Sequence, residues 1–272
     1  MPDLAPLLVV ELLALGVVVG FLAGLLGVGG GMMMVPAMTL LLSQRGVDNG
    51  MAVKMAIATS MATILFTSLS SVRAHHRLRA VRWDIARRMA SGIVLGGLAA
   101  SAGVFAIING RILALFFAAF IGWTALRMLQ DRRPLPGRAM PGAAGTAAAG
   151  AGIGFLSSLV GAGGAFLSVP FMTRCNVPPR QAVGTSAALG FPIALASTVG
   201  YVIAGWRLPA ALPGAVGYLY LPALVIVSVA SMSLAPWGAR TAQRLNVAVL
   251  KRCFAVMLLA LAASMLHRAF SA

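Results

Sequence analysis

Two Thr-Ser pairs, Thr59-Ser60 and Thr185-Ser186, stand inside apolar stretches, and each follows a run of closely spaced glycines. The first run holds Gly27, Gly29 and Gly30, the second Gly161, Gly163 and Gly164. Hydroxyls and unobstructed backbone N–H groups are neutral hydrogen-bond donors, and a helix starting after a glycine break adds the positive end of its dipole. Such a set binds an anion and does no covalent chemistry. The hydroxyls have a second reading, in which each bonds the carbonyl one turn back in its own helix. Lys54 and Arg180 each lie five residues ahead of a threonine. They read either as solvated helix flanks or as an anion-attracting pair at two mouths. Glu11 is the one carboxylate deep in an apolar run, which makes it a candidate for proton coupling. It also lies near enough to the start of that run to reach an interface.

Other chemistries are excluded by what is missing. His75 and His76 are adjacent, so their side chains diverge, and with His267 far off no metal-ligand spacing arises. Cys175 and Cys253 form no CxxC and no disulfide framework. The run GVGGG lacks the GK[ST] of a phosphate loop. No nucleophile, base and orienting partner assemble. The chain is not expected to be an enzyme, and no cofactor or metal is expected.

The glycine runs belong to a repeat. Gly20 to Met38, GFLAGLLGVGGGMMMVPAM, returns 134 positions later as GFLSSLVGAGGAFLSVPFM. Gly20, Gly27, Gly29, Gly30, Pro36 and Met38 fall on Gly154, Gly161, Gly163, Gly164, Pro170 and Met172. The ATS at 58–60 answers the GTS at 184–186 with an offset of 126, which places Lys54 on Arg180. Glu11 has no acidic counterpart, since the aligned residue is Gly145.

The elements that carry these residues are transmembrane helices. Of 272 residues 60% are hydrophobic and 10% charged, with a mean hydropathy of +0.95. An average soluble protein is about a quarter charged, and apolar runs of about 20 residues span a bilayer. The fold class is an all-α polytopic protein of the plasma (inner) membrane, with the lipid bilayer as its first partner. A net charge of +16 would suggest nucleic acid in a soluble protein. Here the 19 Arg and 2 Lys lie mostly between apolar runs, so the positive-inside rule accounts for them and no nucleic-acid partner is expected. The N-terminus, MPDLAPLL, lacks the basic region of a signal peptide, so the first run is expected to stay as structure.

The expected halves are a first membrane repeat over 1–130, a basic Pro/Gly linker over 131–142 and a second repeat over 143–272. Each half reads as one glycine-broken segment plus three helices. The expected helices cover 50–72, 89–108 and 111–129, then 180–204, with a kink at Pro192, 212–235 and 248–268. Residues 73–88 read as the most basic loop.

Charge decides how the halves are oriented. If both broken segments cross the membrane, the loops on the two sides hold 12 and 9 basic residues. If both re-enter and return, the halves are inverted and the sides hold 16 and 5. The rule prefers the second arrangement, and inverted repeats are a common transporter architecture. Unwound backbone in lipid costs several kcal/mol per unsatisfied group. The two breaks are therefore expected to line a cavity between the halves, or to serve close helix packing.

GFLAGLLGVGGGMMMVP with its repeat, AVGTS at 182–186, ATS at 58–60 and HHRLRAVRW at 75–83 resemble the TauE/SafE-type sulfite exporter and permease family over nearly the whole chain. The resemblance implies a secondary-active carrier for sulfite, sulfonates or related sulfur oxyanions. It implies that the glycine runs and Thr-Ser pairs face the substrate. MAIATS at 55–60 departs from the fuller AVGTS of the second half. A passive channel, or a membrane assembly or redox-relay component, are the alternatives. A thiol relay would need paired cysteines at the breaks, and this chain has none there. A homo-oligomer is compatible with all of these.

Overall fold

The computed structural model describes residues 6–26, 30–130, 137, 139–242 and 247–271. Gly27, Gly29 and most of the 131–142 linker lie outside the described residues. Ten helices account for nearly everything that is described: α1 Pro6–Leu26, α2 Gly31–Gln44, α3 Asn49–Arg77, α4 Trp83–Ile107, α5 Gly110–Leu129, α6 Ala143–Val160, α7 Ala165–Arg174, α8 Pro179–Gly205, α9 Leu221–Ala242 and α10 Val247–Ser271. Seven of them are long and apolar enough to cross a bilayer, namely α1, α3, α4, α5, α6, α8 and α9. This is an all-α, multi-pass membrane protein.

Local sequence sets the ends. Asp48 caps α3 by accepting from the N–H groups of Gly50 and Met51, and Asn109 caps α5 through the N–H of Arg111. α8 starts with Pro179 in the first turn, where a missing N–H costs nothing. α6 stops at Gly161, whose φ of +71° is the left-handed cap that glycine adopts without strain. α8 continues through Pro192.

Two sequence expectations need correction. The basic stretch 73–88 is mostly helix, because α3 runs on to Arg77 and α4 begins at Trp83, leaving only 78–82 between them. At 29 residues α3 is about 43 Å long by helical rise, longer than a hydrocarbon core of about 30 Å. Its basic last turns therefore continue the helix beyond the apolar zone. The helix expected over 212–235 begins at Leu221. Pro209 and Pro213 lack a backbone N–H, Gly214 and Gly217 have positive φ, and a two-residue hairpin, β1 Ala215–Val216 with β2 Leu219–Tyr220, takes up the chain instead.

Both broken segments double back. Arg45, just after α2, donates to Glu11 near the start of α1 at 2.8 Å, and Gly30 lies against Val19 midway along α1. The start of α1 and the end of α2 thus share one end of the bundle. Gly50 lies beside Gly110 there, and Lys54 reaches Ala106 and the ring of Tyr218. The opposite end gathers Leu78, Arg82, Gly137, Arg174 and Arg180, joined by the bonds from Arg180 to the Leu78 carbonyl and from Gly137 N to the Arg174 carbonyl.

Small residues let the helices meet backbone to backbone. α1 runs beside α9, where Gly20 abuts Ser231 and the Ser231 hydroxyl donates to the Gly16 carbonyl at 3.1 Å. α4 runs beside α6, with Gly92 on Ala147, Gly96 on Ala151, Gly150 on Met89 and Gly154 on Ile93. Both of these pairs are parallel. α3 and α8 are antiparallel, since Gly190 lies at Ser68 while Gly184 lies at Ala80.

The two threonines of the Thr-Ser pairs serve as matched latches. Thr59 accepts a hydrogen bond from the N–H of Tyr220, the residue before α9, at 3.0 Å. Thr185 accepts from the N–H of Arg82, the residue before α4, at 2.9 Å. Both threonines are fully buried. Valine at either place keeps the shape and strands a backbone donor, so Thr59→Val and Thr185→Val should each lose about 1–3 kcal/mol. Thermal unfolding in detergent should show this as a lower Tm, with no change in half-saturating substrate for the protein that stays folded.

Candidate functional site

The two glycine breaks meet at the centre of the bundle. A Cβ on Gly31 would stand 2.5 Å from the Gly161 carbonyl oxygen and 3.1 Å from the Ser60 hydroxyl. Ser60, fully buried, donates towards both break carbonyls, 3.2 Å to Gly161 O and 3.4 Å to Gly31 O. On the other half, the Ser168 hydroxyl donates to that of Ser186 at 2.8 Å, and both are buried. Ser60 and Ser186 thus reach the same place from antiparallel helices. Gly164, with φ +73°, rests against Ile193 and Ser157 at the start of α7. The Ser157 hydroxyl is buried without a partner among the described residues.

A cavity of about 370 Å³ opens from this junction. Its inner wall holds Gly30, Gly31, Ser60, Gly163, Ser186 and Gly190. From there it climbs α3 past Thr63, Thr67, Ser68 and Ser71 to His75, and ends beside Pro236 of α9. That is the end where Arg180 meets Leu78. Its polar lining is made of hydroxyls and exposed backbone, and His75 is its one titratable side chain among the described residues. Around the mouth Arg73, Arg77 and Arg79 are exposed. Arg82 forms a 2.6 Å ion pair with Asp84, and that hydrogen bond raises the guanidinium pKa further.

The sequence-predicted residues are therefore sorted. Gly30, Ser60, Gly163 and Ser186 line the cavity, while Gly161 packs behind it on Gly31 and Ser60, and Gly164 against Ile193 and Ser157. Thr59 and Thr185 do not line it, because their hydroxyls are spent on the backbone N–H groups of the opposite half. Nor do Lys54 and Arg180, which sit at opposite ends. Arg180 is exposed and bonds the Leu78 carbonyl at 3.3 Å. Lys54 is half-buried at the closed end, 5.7 Å from the centre of the Phe105 ring and 5.6 Å from that of Tyr218, with its ammonium on the Ala106 carbonyl at 3.2 Å. Burial pushes the Tyr218 phenol up. Glu11 is held by Arg45 away from the cavity.

Sequence reasoning missed the hydroxyl ladder of α3. Ser60, Thr63, Thr67, Ser71 and His75 recur every three to four residues, one helix face, and that spacing was the available signal.

Residues 12–265 match the family described as Sulfite exporter TauE/SafE. A relative from Haemophilus influenzae, named "Probable membrane transporter protein", is 32% identical over 93% of this chain and 96% of its own. One from Methanocaldococcus jannaschii with the same description is 24% identical over 89% of this chain and 88% of its own. YunE of Bacillus subtilis, also named a probable membrane transporter protein, is 29% identical over 79% of this chain and 83% of its own. No solved structure matches the chain.

Proposed function

The chain belongs to the sulfite exporter TauE/SafE family of membrane transporters, and from that premise we propose that it is a secondary-active carrier of small sulfur oxyanions, with its site where the two breaks meet. The observation that carries this reading is the cavity itself: hydroxyls and glycine backbone converge on it, and among the described residues no carboxylate lines it. An oxyanion such as sulfite or a sulfonate presents several acceptor oxygens, which neutral donors match.

Inverted repeats underlie the mechanism we propose. Three observations support them: α3 and α8 are antiparallel, the contacts of α1 with α9 mirror those of α6 with α4, and Thr59 and Thr185 make equivalent bonds. Under that arrangement 16 of the 21 basic residues lie at the cavity's open end. That end then faces the cytoplasm, and the chain is caught open inwards. Alternating access consists of closing this end while the other half opens.

Flux into proteoliposomes tests the function, with sulfite, sulfate, thiosulfate, taurine and sulfoacetate as the panel. Saturable uptake of at least one, with trans-stimulation by the same anion, supports a carrier. Uptake that never saturates favours a passive channel, and none at all overturns the substrate class. Accessibility tests the orientation. A cysteine replacing Ser71 should react with an impermeant thiol reagent from the cytoplasmic face only, and a transported anion should slow the reaction several-fold. Labelling from outside would reverse the assignment.

A further inference from the structure

His75 stands at the mouth of the cavity, half-buried, and its ring nitrogens make no hydrogen bond among the described residues. Fifteen residues of helix separate it from Ser60, about 22 Å at 1.5 Å per residue. That distance excludes it from travelling with an anion bound at the breaks. It does command the passage every such anion must use.

It is the one variable charge there among the described residues. Among the described residues, the cavity surfaces of α1, α2, α8 and α9 are glycine, alkyl, thioether, hydroxyl and proline, with no ionisable group. On its own helix and the following turn stand Arg73, Arg77 and Arg79, exposed and permanently charged, while Arg82 is paired with Asp84. His76 accepts from the Trp83 indole N–H at 3.2 Å and packs edge-on against that ring, facing away from the cavity. Asp84 is bound by Arg82, so among the described residues no carboxylate at the mouth is free to hold His75 charged.

We propose that His75 is a proton-controlled capture residue for oxyanions at the cytoplasmic mouth. Protonated, it adds a positive charge inside the low-dielectric rim, where the arginines outside are screened within about 8 Å. Neutral, it lets the anion leave. Imidazole is the side chain whose charge changes nearest neutrality, and burial at the rim disfavours its charged form, so the change falls on the acid side. Mouth affinity is therefore highest in acid and falls as pH rises, while the rate of passage past the breaks is unaffected. The inference rests on the cavity being the anion path.

A cysteine replacing Ser68, deeper than His75, reports it in the full-length protein with Cys175 and Cys253 changed to serine. Two methanethiosulfonate reagents are added from the cytoplasmic face, one carrying a sulfonate and one neutral. The ratio of their rates cancels the thiol's own titration. From pH 5 to pH 8 the sulfonate-to-neutral ratio should fall several-fold, with most of the fall on the acid side of neutrality. His75→Gln should hold it low and flat, His75→Arg high and flat, and His76→Gln should leave the fall in place. A ratio that ignores pH in the parent protein, or still falls in His75→Gln, overturns the role of His75. If the neutral reagent itself does not reach Ser68→Cys, the cavity is not an aqueous path, and the transport reading fails instead.

Discussion

Gly31→Ala should lower flux by about tenfold to a hundredfold while the protein still inserts. One methyl group is enough because of where it lands. The new Cβ would stand 2.5 Å from the carbonyl oxygen of Gly161, which is backbone and cannot rotate away. Ile64 and the Ser60 hydroxyl close the other directions. Overpacking a tight contact costs about 1–3 kcal/mol, and at 1.36 kcal/mol per factor of ten that spans the range expected. The two breaks must part by part of a methyl diameter, and Ser60 then loses its grip on one of them. Gly164→Ala should be milder despite a φ of +73°, because its nearest neighbour is the end of the flexible Ile193 side chain. Leucine should abolish transport at either position, at Gly30 by intruding on the cavity and at Gly164 by forcing the break away from Ile193 and Ser157. Flux per inserted protein, with monodispersity in detergent as the folding control, measures this. If Gly31→Ala transports like the parent, the breaks do not need their close approach and are packing features.

Much of this was legible in the chain. Glycine runs at matched positions, each followed by a Thr-Ser, located the centre of the molecule, since lipid tolerates unwound backbone only where protein or water satisfies it. The charge count preferred broken segments that return to their own end, and the Glu11–Arg45 bond places the start of α1 beside the end of α2. Other roles were hidden because they depend on partners distant in sequence. Thr59 and Thr185 carry the residue types of an anion site, yet each is bound to an N–H more than a hundred positions away. Lys54 looked like a solvated flank or a lure for anions, and the aromatic rings that enclose it come from 51 and 164 positions on. Glu11 read as a candidate for proton coupling, and its ion-pair partner was hidden because Arg45 becomes its neighbour only when α2 folds back.

One of those rings, Phe105, belongs with Tyr201 to the site of the second large effect: Phe105→Ala and Tyr201→Ala should turn a tight carrier into a leak. At the offset of 126 that superposes the Thr-Ser pairs, Tyr201 takes the place of His75 and Ser197 that of Ser71. The face of α8 equivalent to the open wall of α3 is, however, sealed. Ser197 and Tyr201 are fully buried, Ser158 and Ser197 share a 2.6 Å hydrogen bond, and the Tyr201 hydroxyl donates to the Ser158 carbonyl. Phe105 lies 4.5 Å from the centre of the Tyr201 ring and 5.3 Å from that of Tyr218, and Lys54 caps Phe105 and Tyr218. One half is open and its counterpart shut, the asymmetry that the proposed alternating access would require of a single state. Truncating a buried aromatic side chain costs about 3–5 kcal/mol, and here the loss falls on the closed end alone. The outward closure should then fail while the cavity stays open inwards. Proteoliposomes carrying either variant should dissipate an imposed anion gradient without saturation, where the parent protein holds it. Tyr201→Phe keeps the ring and loses only the hydroxyl's bond, about 0.5–1.5 kcal/mol, so it should stay tight. Folded, monodisperse alanine variants that remain tight and transport normally would show that the closure lies elsewhere.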